Sequence, residues 1–226
     1  MTPGPNPPPP TPAFRQVLAS LHILGRGNVY DDMTQLSFMS ESMACVTFHK
    51  FCKFFARDLY DAHVRLPTGE ALERVMLDYH KLGFTGAVGS TDVTHVKWAC
   101  CPYSQARNYT GKEGFPTIAY QLTVDHSGRA LAVTEGFEGS QNDKTIIRYD
   151  AAVKMIRDNP QYKDRTFVLY NSDGTWSTVK GVYLIVDNGY HKVSRLQYMY
   201  RNDKIDCGGI KFSQLHMTVS SYRCVV

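Results

Sequence analysis

At 226 residues, 43% hydrophobic and 20% charged, the chain has an ordinary globular composition with room for one sizeable core, which excludes a low-complexity or fibrous protein. A net charge of +4 permits a polyanionic partner without demanding one, and no apolar run approaches the length needed to cross a membrane. The six cysteines (Cys45, Cys52, Cys100, Cys101, Cys207 and Cys224) form no C-x-x-C pair and fit a reducing compartment better than a disulfide framework. The basic excess is one-sided: residues 1–88 carry eight basic and eight acidic side chains, residues 139–226 thirteen and eight.

Residues 1–13 read as a disordered Pro-rich tail, because seven of the first twelve residues are proline and few backbone donors remain for helix or sheet. With no basic and apolar leader pattern here, an intracellular chain is expected. Residues 14–82 read as a helical segment. Val17, Leu18, Leu21 and Leu24 share one helical face, Gly25 and Gly27 end it, and Asp31 to Leu36 starts a second short helix. Ser40 opens a third, carrying Met43, Val46, Phe51, Phe54, Phe55 and Leu59. Three short helices with tight connections are similar to a helix-turn-helix module, in which Lys50, Lys53 and Arg57 would contact DNA; the same pattern also fits a structural helical cap. Cys45, His49 and Cys52 fall at i, i+4 and i+7, but with no fourth ligand at a recognisable spacing they read as packed cysteines beside a surface histidine rather than a zinc site. After the break at Pro67, Thr68 precedes a helix over 69–81 with Leu72, Val75, Met76 and Tyr79 on one face.

Residues 83–197 form the candidate main domain. Gly86 to Trp98 reads as a strand with one acid, Asp92, in its middle, and a charge there requires compensation. Residues 97–112 read as an irregular loop made basic and aromatic by Arg107, Tyr109 and Lys112; it suits a nucleic-acid backbone and equally an ordinary solvated loop. Phe115 to Val124 and Arg129 to Phe137 form a hairpin across the Asp125–Gly128 turn. A glycine-polar turn, residues 138–143, opens a helix over 144–157, where Asp143 is either a cap or a metal ligand. A hairpin insertion spans 167–179, and Val182 to Val186 is a buried apolar strand ending abruptly in Asp187 before an Asn188-Gly189 turn. A crossover helix places this last strand parallel to one already in the sheet. Set beside the first strand, it brings Asp187 near Asp92, a site for a divalent cation in an α/β, ribonuclease-H-like mixed sheet with flanking helices. His95 either supports those acids or simply packs.

Four stretches in this order, GAVGSTDVTHVKWACCP, ARNYTGKEGFPTIAYQLTVD, EGFEGSQND and VYLIVDNGYHKVSRLQ, together resemble the Harbinger-type (PIF/Harbinger) transposase-derived DDE nucleases over about residues 66–197. The resemblance implies a nuclease that cuts DNA with Mg2+ or Mn2+. It matches the family's first acid to Asp92, its D-x-G-Y acid to Asp187, and its G-S-x-x-D motif to Gly139, Ser140 and Asp143. It also implies action in the nucleus and a separate Myb-like DNA-binding partner. The family's third acid is a glutamate on a later helix, yet no glutamate follows Glu138 here. Residues 198–226 do not resemble the family and read as a divergent tail, as if by truncation or a frame change; Asp203 or Asp206 is the alternative third ligand. An impaired nuclease is therefore expected, with a non-catalytic DNA-binding relic or a non-functional fragment as the alternatives.

Overall fold

The computed structural model describes residues 11–170, 174–187 and 196–198, the last three by their backbone. The proline-rich tail through residue 10, the tip of the 167–179 hairpin, the Asn188-Gly189 turn, Asp203 and Asp206 lie outside the described residues. Two compact units are present, residues 11–63 and residues 64–198.

The first unit is helical: α1 (Ala13–Arg26), α2 (Asp32–Ser37) and α3 (Glu41–Phe54), which runs on through a π-helical turn (Phe55–Leu59) into α4 (Tyr60–His63). Gly27 ends α1 in the left-handed conformation (φ 67°), and its N–H reaches Ile23 O at 2.9 Å. Ser40 caps α3 by accepting from the Met43 N–H at 3.3 Å. The buried face of α1 is not the leucine face that its sequence advertises. Ala19, Ser20 and Ile23 are buried, while Val17, Leu18, Leu21 and Leu24 are exposed. The reason is close approach: Ala19 and Ala44 are both buried in the cluster that also holds Ile23, Met33 and Met39, and small side chains let α1 and α3 come together. Cys45 and Cys52 are half-buried and lie beside the Tyr30 hydroxyl, whereas His49 is exposed.

The second unit is a mixed sheet with helices. Its elements are α5 (Gly69–Lys81), β1 (Ala87–Lys97), α6 (Tyr103–Tyr109), β2 (Thr117–Val124), β3 (Ala130–Val133), β4 (Phe137–Glu138), α7 (Asp143–Tyr149), α8 (Ala151–Asp158), α9 (Pro160–Lys163), β5 (Thr166–Tyr170), β6 (Trp176–Lys180), β7 (Tyr183–Val186) and β8 (Leu196–Tyr198). The main sheet has the order β3-β2-β1-β7-β8, with β4 also pairing to β2. β1, β2 and β3 are successive antiparallel neighbours, and β7 runs parallel to both β1 and β8. β5 and β6 form a separate two-stranded antiparallel sheet.

One face of the main sheet is sealed by α7 and α8: Ile147, Val153 and Ile156 pack on Val88, Leu184 and Val186, and Ile146 packs on Val93 and Ala119. The other face meets α5, where Tyr79 packs on Ala87 and Ile185. Burial pushes the Tyr79 phenol up to about 12, and its hydroxyl lies 3.3 Å from Ser90 Oγ.

Two stretches differ from expectation. The supposed loop 97–112 contains the helix α6, which follows Pro102; its carbonyl accepts from the Gln105 and Ala106 N–H groups. The helix over 144–157 is broken at Asp150, which is extended (ψ 117°) and starts α8 afresh. Its Oδ1 accepts from the Ala152 and Val153 N–H groups at 2.7 and 3.4 Å, so capping here outcompetes helix continuation. Asp150 is only 2% exposed, and burial pushes its carboxyl above the usual range against the pull of those N–H groups. Asp150→Ala is expected to lower stability by about 1 kcal/mol, roughly 2–4 °C in Tm, whereas Asp150→Asn keeps the cap and the Tm. A thermal melt followed by circular dichroism checks this.

Candidate active site

The site is set by the parallel pairing of β1 with β7. Ser90 is the partner of Ile185, and both lie on the α5 face, Ser90 against the Tyr79 hydroxyl and Ile185 against its ring. Two residues further along each strand come Asp92 and Asp187. Counting by two preserves the face along β1, so Asp92 belongs to the α5 side with Ser90, and Asp187 follows directly on the last residue of β7. Neighbouring strands lie about 4.8 Å apart, which is the spacing between the backbones that lead into the two acids. Asp92 is half-buried and its Oδ1 accepts the Val93 N–H at 2.8 Å; Asp187, one residue past β7, is exposed. Residues Thr94, Val96, Tyr120 and Leu122, on the same face of β1 and β2, are half-buried.

Glycines make the pairing possible. A Cβ on Gly89 would lie 3.0 Å from Val124 O and 3.1 Å from Leu184 Cδ2, wedged between both neighbouring strands. The β1–β7 register shifts between Ala87 and Gly89, and from Ser90 onward β1 pairs with β2 without interruption.

The other sequence-predicted residues are not part of this pair. Thr91, Val93 and His95 alternate onto the opposite face, beneath α7. Thr91 Oγ1 accepts from Gln121 Nε2 at 2.6 Å and Thr123 Oγ1 at 2.9 Å, and donates to Leu122 O. His95 Nδ1 lies 3.0 Å from Thr117 Oγ1, and its buried Nε2 has no hydrogen-bond partner among the described residues. Asp143 is the first residue of α7. The cap is Asn142, which accepts the Lys144 N–H at 2.9 Å, and Asp143 instead faces Lys112 at 3.9 Å. Burial, then the Lys112 charge, hold the His95 imidazole below its ordinary value of 6.5, against the opposing pull of Glu113 and Asp143. Asp143 thus belongs with His95 and Lys112, across the sheet from Asp92.

The G-S-x-x-D stretch has a packing role that its sequence does not reveal. Ser140 Oγ donates to Asn108 O at 2.5 Å and its N–H reaches the same carbonyl. A Cβ on Gly139 would collide with Thr117 Oγ1 and the Tyr109 carbonyl, and one on Gly111 with the Gly139 carbonyl. Two glycines and a serine therefore clamp the end of α6 to the start of α7. Among the basic candidates, Arg107 and Lys112 are exposed in this unit, and Lys50, Lys53 and Arg57 are exposed in the helical unit. The Arg57 guanidinium is forked onto Asp58 at 2.8 and 2.6 Å. No group of three or more His, Cys, Asp or Glu gathers among the described residues.

A family model described as DDE superfamily endonuclease matches residues 91–226, more than half of the chain. The chain belongs to the DDE superfamily endonucleases. No curated protein and no solved structure matches it. Membership makes this a transposase-type nuclease domain with DNA as its implied substrate, in a family that uses divalent metals. The mixed sheet with flanking helices is consistent with such a domain. The match begins one residue before Asp92 and runs through 198–226, the stretch that its sequence alone sets apart. No helix among the described residues is long and apolar enough to cross a membrane.

The position of His95 in this DDE endonuclease yields a pH signature. A base whose pKa is lowered by folding binds more protons when unfolded, so stability is full above about 6.5 and falls as pH drops below it. His95→Gln removes that contribution, and the decline in Tm between neutral pH and pH 5.5 is expected to flatten. An unchanged slope in scanning calorimetry would count against this placement of the imidazole.

Proposed function

We propose that this chain is a divalent-metal-dependent DNA endonuclease of Harbinger type, with a ribonuclease-H-like domain in which Asp92 and Asp187 hold the metal. The observation that supports this reading is the parallel pairing of β1 with β7, in which Ser90 meets Ile185 two residues before each acid. Two hard oxygen donors suit Mg2+ or Mn2+, which take one or two protein carboxylates and keep several waters. When bound, such ions lower the pKa of water and neutralise charge on the scissile phosphate. The chain's part is to present the two carboxylates and to position the DNA beside them. Asp92 is oriented by the Val93 N–H, and Asp187 is held at the end of the buried β7. A water oxygen forms the new bond to phosphorus as the bond to the leaving deoxyribose oxygen breaks; the water gives up one proton to solvent and the leaving oxygen takes one up.

Asp143, paired with Lys112, and His95, against Thr117, act in this reading as positioning residues. Lys50, Lys53 and Arg57 in the helix-turn-helix-like unit, with Arg107 and Lys112 in the nuclease unit, are the proposed phosphate contacts. Nuclear action with a separate Myb-like DNA-binding partner completes the proposal. No glutamate follows Glu138, so a third carboxylate from these residues would come from Asp203 or Asp206. Without one, the second ion binds weakly and cleavage is impaired. That same lack of a glutamate favours, as the second reading, a DNA-binding relic without cleavage; a non-functional fragment is the remaining alternative.

Nicking of supercoiled plasmid with Mn2+ tests the first reading. Asp92→Asn and Asp187→Asn should each lower the rate by more than the roughly 10–100-fold that loss of a group merely supporting a metal ligand costs. Asp143→Asn should cost less than either. Wild-type nicking that survives Asp92→Asn would defeat the assignment. Salt-sensitive DNA binding with no nicking at any metal concentration would establish the relic instead.

A further inference from the structure

The β5–β6 hairpin carries a face that neither the fold nor the carboxylate pair explains. Thr166, Val168 and Tyr170 on β5 and Trp176, Thr178 and Lys180 on β6 are all exposed, while the alternate residues Phe167, Leu169, Ser177 and Val179 are half-buried. The inward side is accounted for: Phe167 packs on Tyr183, its centroid 6.2 Å away, and fills the space above Gly86. The outward side is not. Trp176 is 70% exposed and Tyr170 is 65% exposed. They are direct cross-strand partners, with ring centroids 4.8 Å apart and planes at 59°. Aromatic side chains of this size normally bury most of their surface, so two together in solvent mark a contact surface.

Size and charge select the occupant. Five residues of strand span about 17 Å and two strands about 10 Å, a footprint of roughly 170 Å². That is far below the ~800 Å² per partner of a stable protein interface, but it accommodates two or three stacked bases. Among the described residues the face holds one cation, Lys180, and no carboxylate; Lys180 lies 2.9 Å from Asp164, which is on neither strand. Thr166 and Thr178 add hydroxyls that can meet phosphate or base edges. The geometry points to a platform on which Trp176 and Tyr170 stack unpaired DNA bases. This inference rests on the reading of the chain as a DNA-acting protein. Gly86, where the hairpin docks, lies six residues before Asp92, about 20 Å along the strand. The point where the hairpin docks is therefore separate from Asp92.

The test uses the full chain and a short labelled oligothymidylate, read by fluorescence anisotropy at low salt. Trp176→Ala is expected to weaken binding by about 5- to 100-fold, the range for loss of one base–aromatic stack. Trp176→Phe keeps a ring and should retain most of the affinity, which separates stacking from a folding defect. Wild-type plasmid nicking lost with Trp176-dependent binding intact would support the platform and remove the nuclease reading. Nicking retained with oligothymidylate binding absent, or equal in wild type and Trp176→Ala, would overturn the platform and leave the nuclease reading standing. Self-association abolished by Trp176→Ala in sedimentation velocity, with oligothymidylate binding unaffected, would assign the face to a second copy and overturn the proposal.

Discussion

The parallel pairing of β1 with β7 is the contact on which the nuclease unit depends. It is a long-range pairing, with Ser90 meeting Ile185 across the whole hairpin and crossover between them. Such a pairing forms only when the strand that arrives late is buried on both faces, and β7 is: Leu184 and Val186 face α7 and α8, and Ile185 faces α5. Gly89 leaves room for strands on both sides, and any side chain there would press on the Val124 carbonyl and on Leu184. Everything proposed for Asp92 and Asp187 descends from that register. A one-residue slip of either strand would send its acid to the opposite face.

The two faces of the sheet divide the labour. On the side covered by α7 and α8, the hydroxyls of Thr91 and Thr123 and the amide of Gln121 form one buried network, and His95 meets Thr117 through Nδ1 while its buried Nε2 has no partner among the described residues. Such a network is costly when partly satisfied, so it pins β1 against β2 and holds the strand carrying Asp92 straight. On the α5 side, the same strands keep half-buried residues and the acids. Charge is tolerated there because water or an ion can reach it. Asp143 is drawn to the first side by the geometry of α7, whose Ile146 must bury against Val93 and Ala119. Its carboxylate therefore answers Lys112 rather than Asp92.

The clamp between α6 and α7 shows how a motif that resembles chemistry can be architecture. Gly139 and Gly111 permit backbone contact that any Cβ would block, and Ser140 ties the turn to Asn108. The residues that meet at the start of β2 thus come from the stretch between β1 and β2 and from the turn before α7. They are far apart in sequence and adjacent in the fold.

Much of this protein was legible in its residues. Apolar runs and turns marked the strands, Ser40 and Gly27 marked helix limits, and an acid ending the run Val182 to Val186 announced Asp187. Local chemistry determines these features, because periodicity and capping act over a few residues. Tertiary structure alone decided which side of each element faces inward. The leucines of α1 form the stronger stripe, yet Ala19 and Ile23 are buried because small side chains allow α3 to approach. Likewise, alternation along β1 separates Asp92 from His95, but only the docking of α7 on Val93 says which of them lies under a helix. Asp150 ends one helix and begins another because a buried carboxylate can satisfy two backbone donors there. Periodicity sets how side chains divide between two faces; packing against distant segments determines what each face meets.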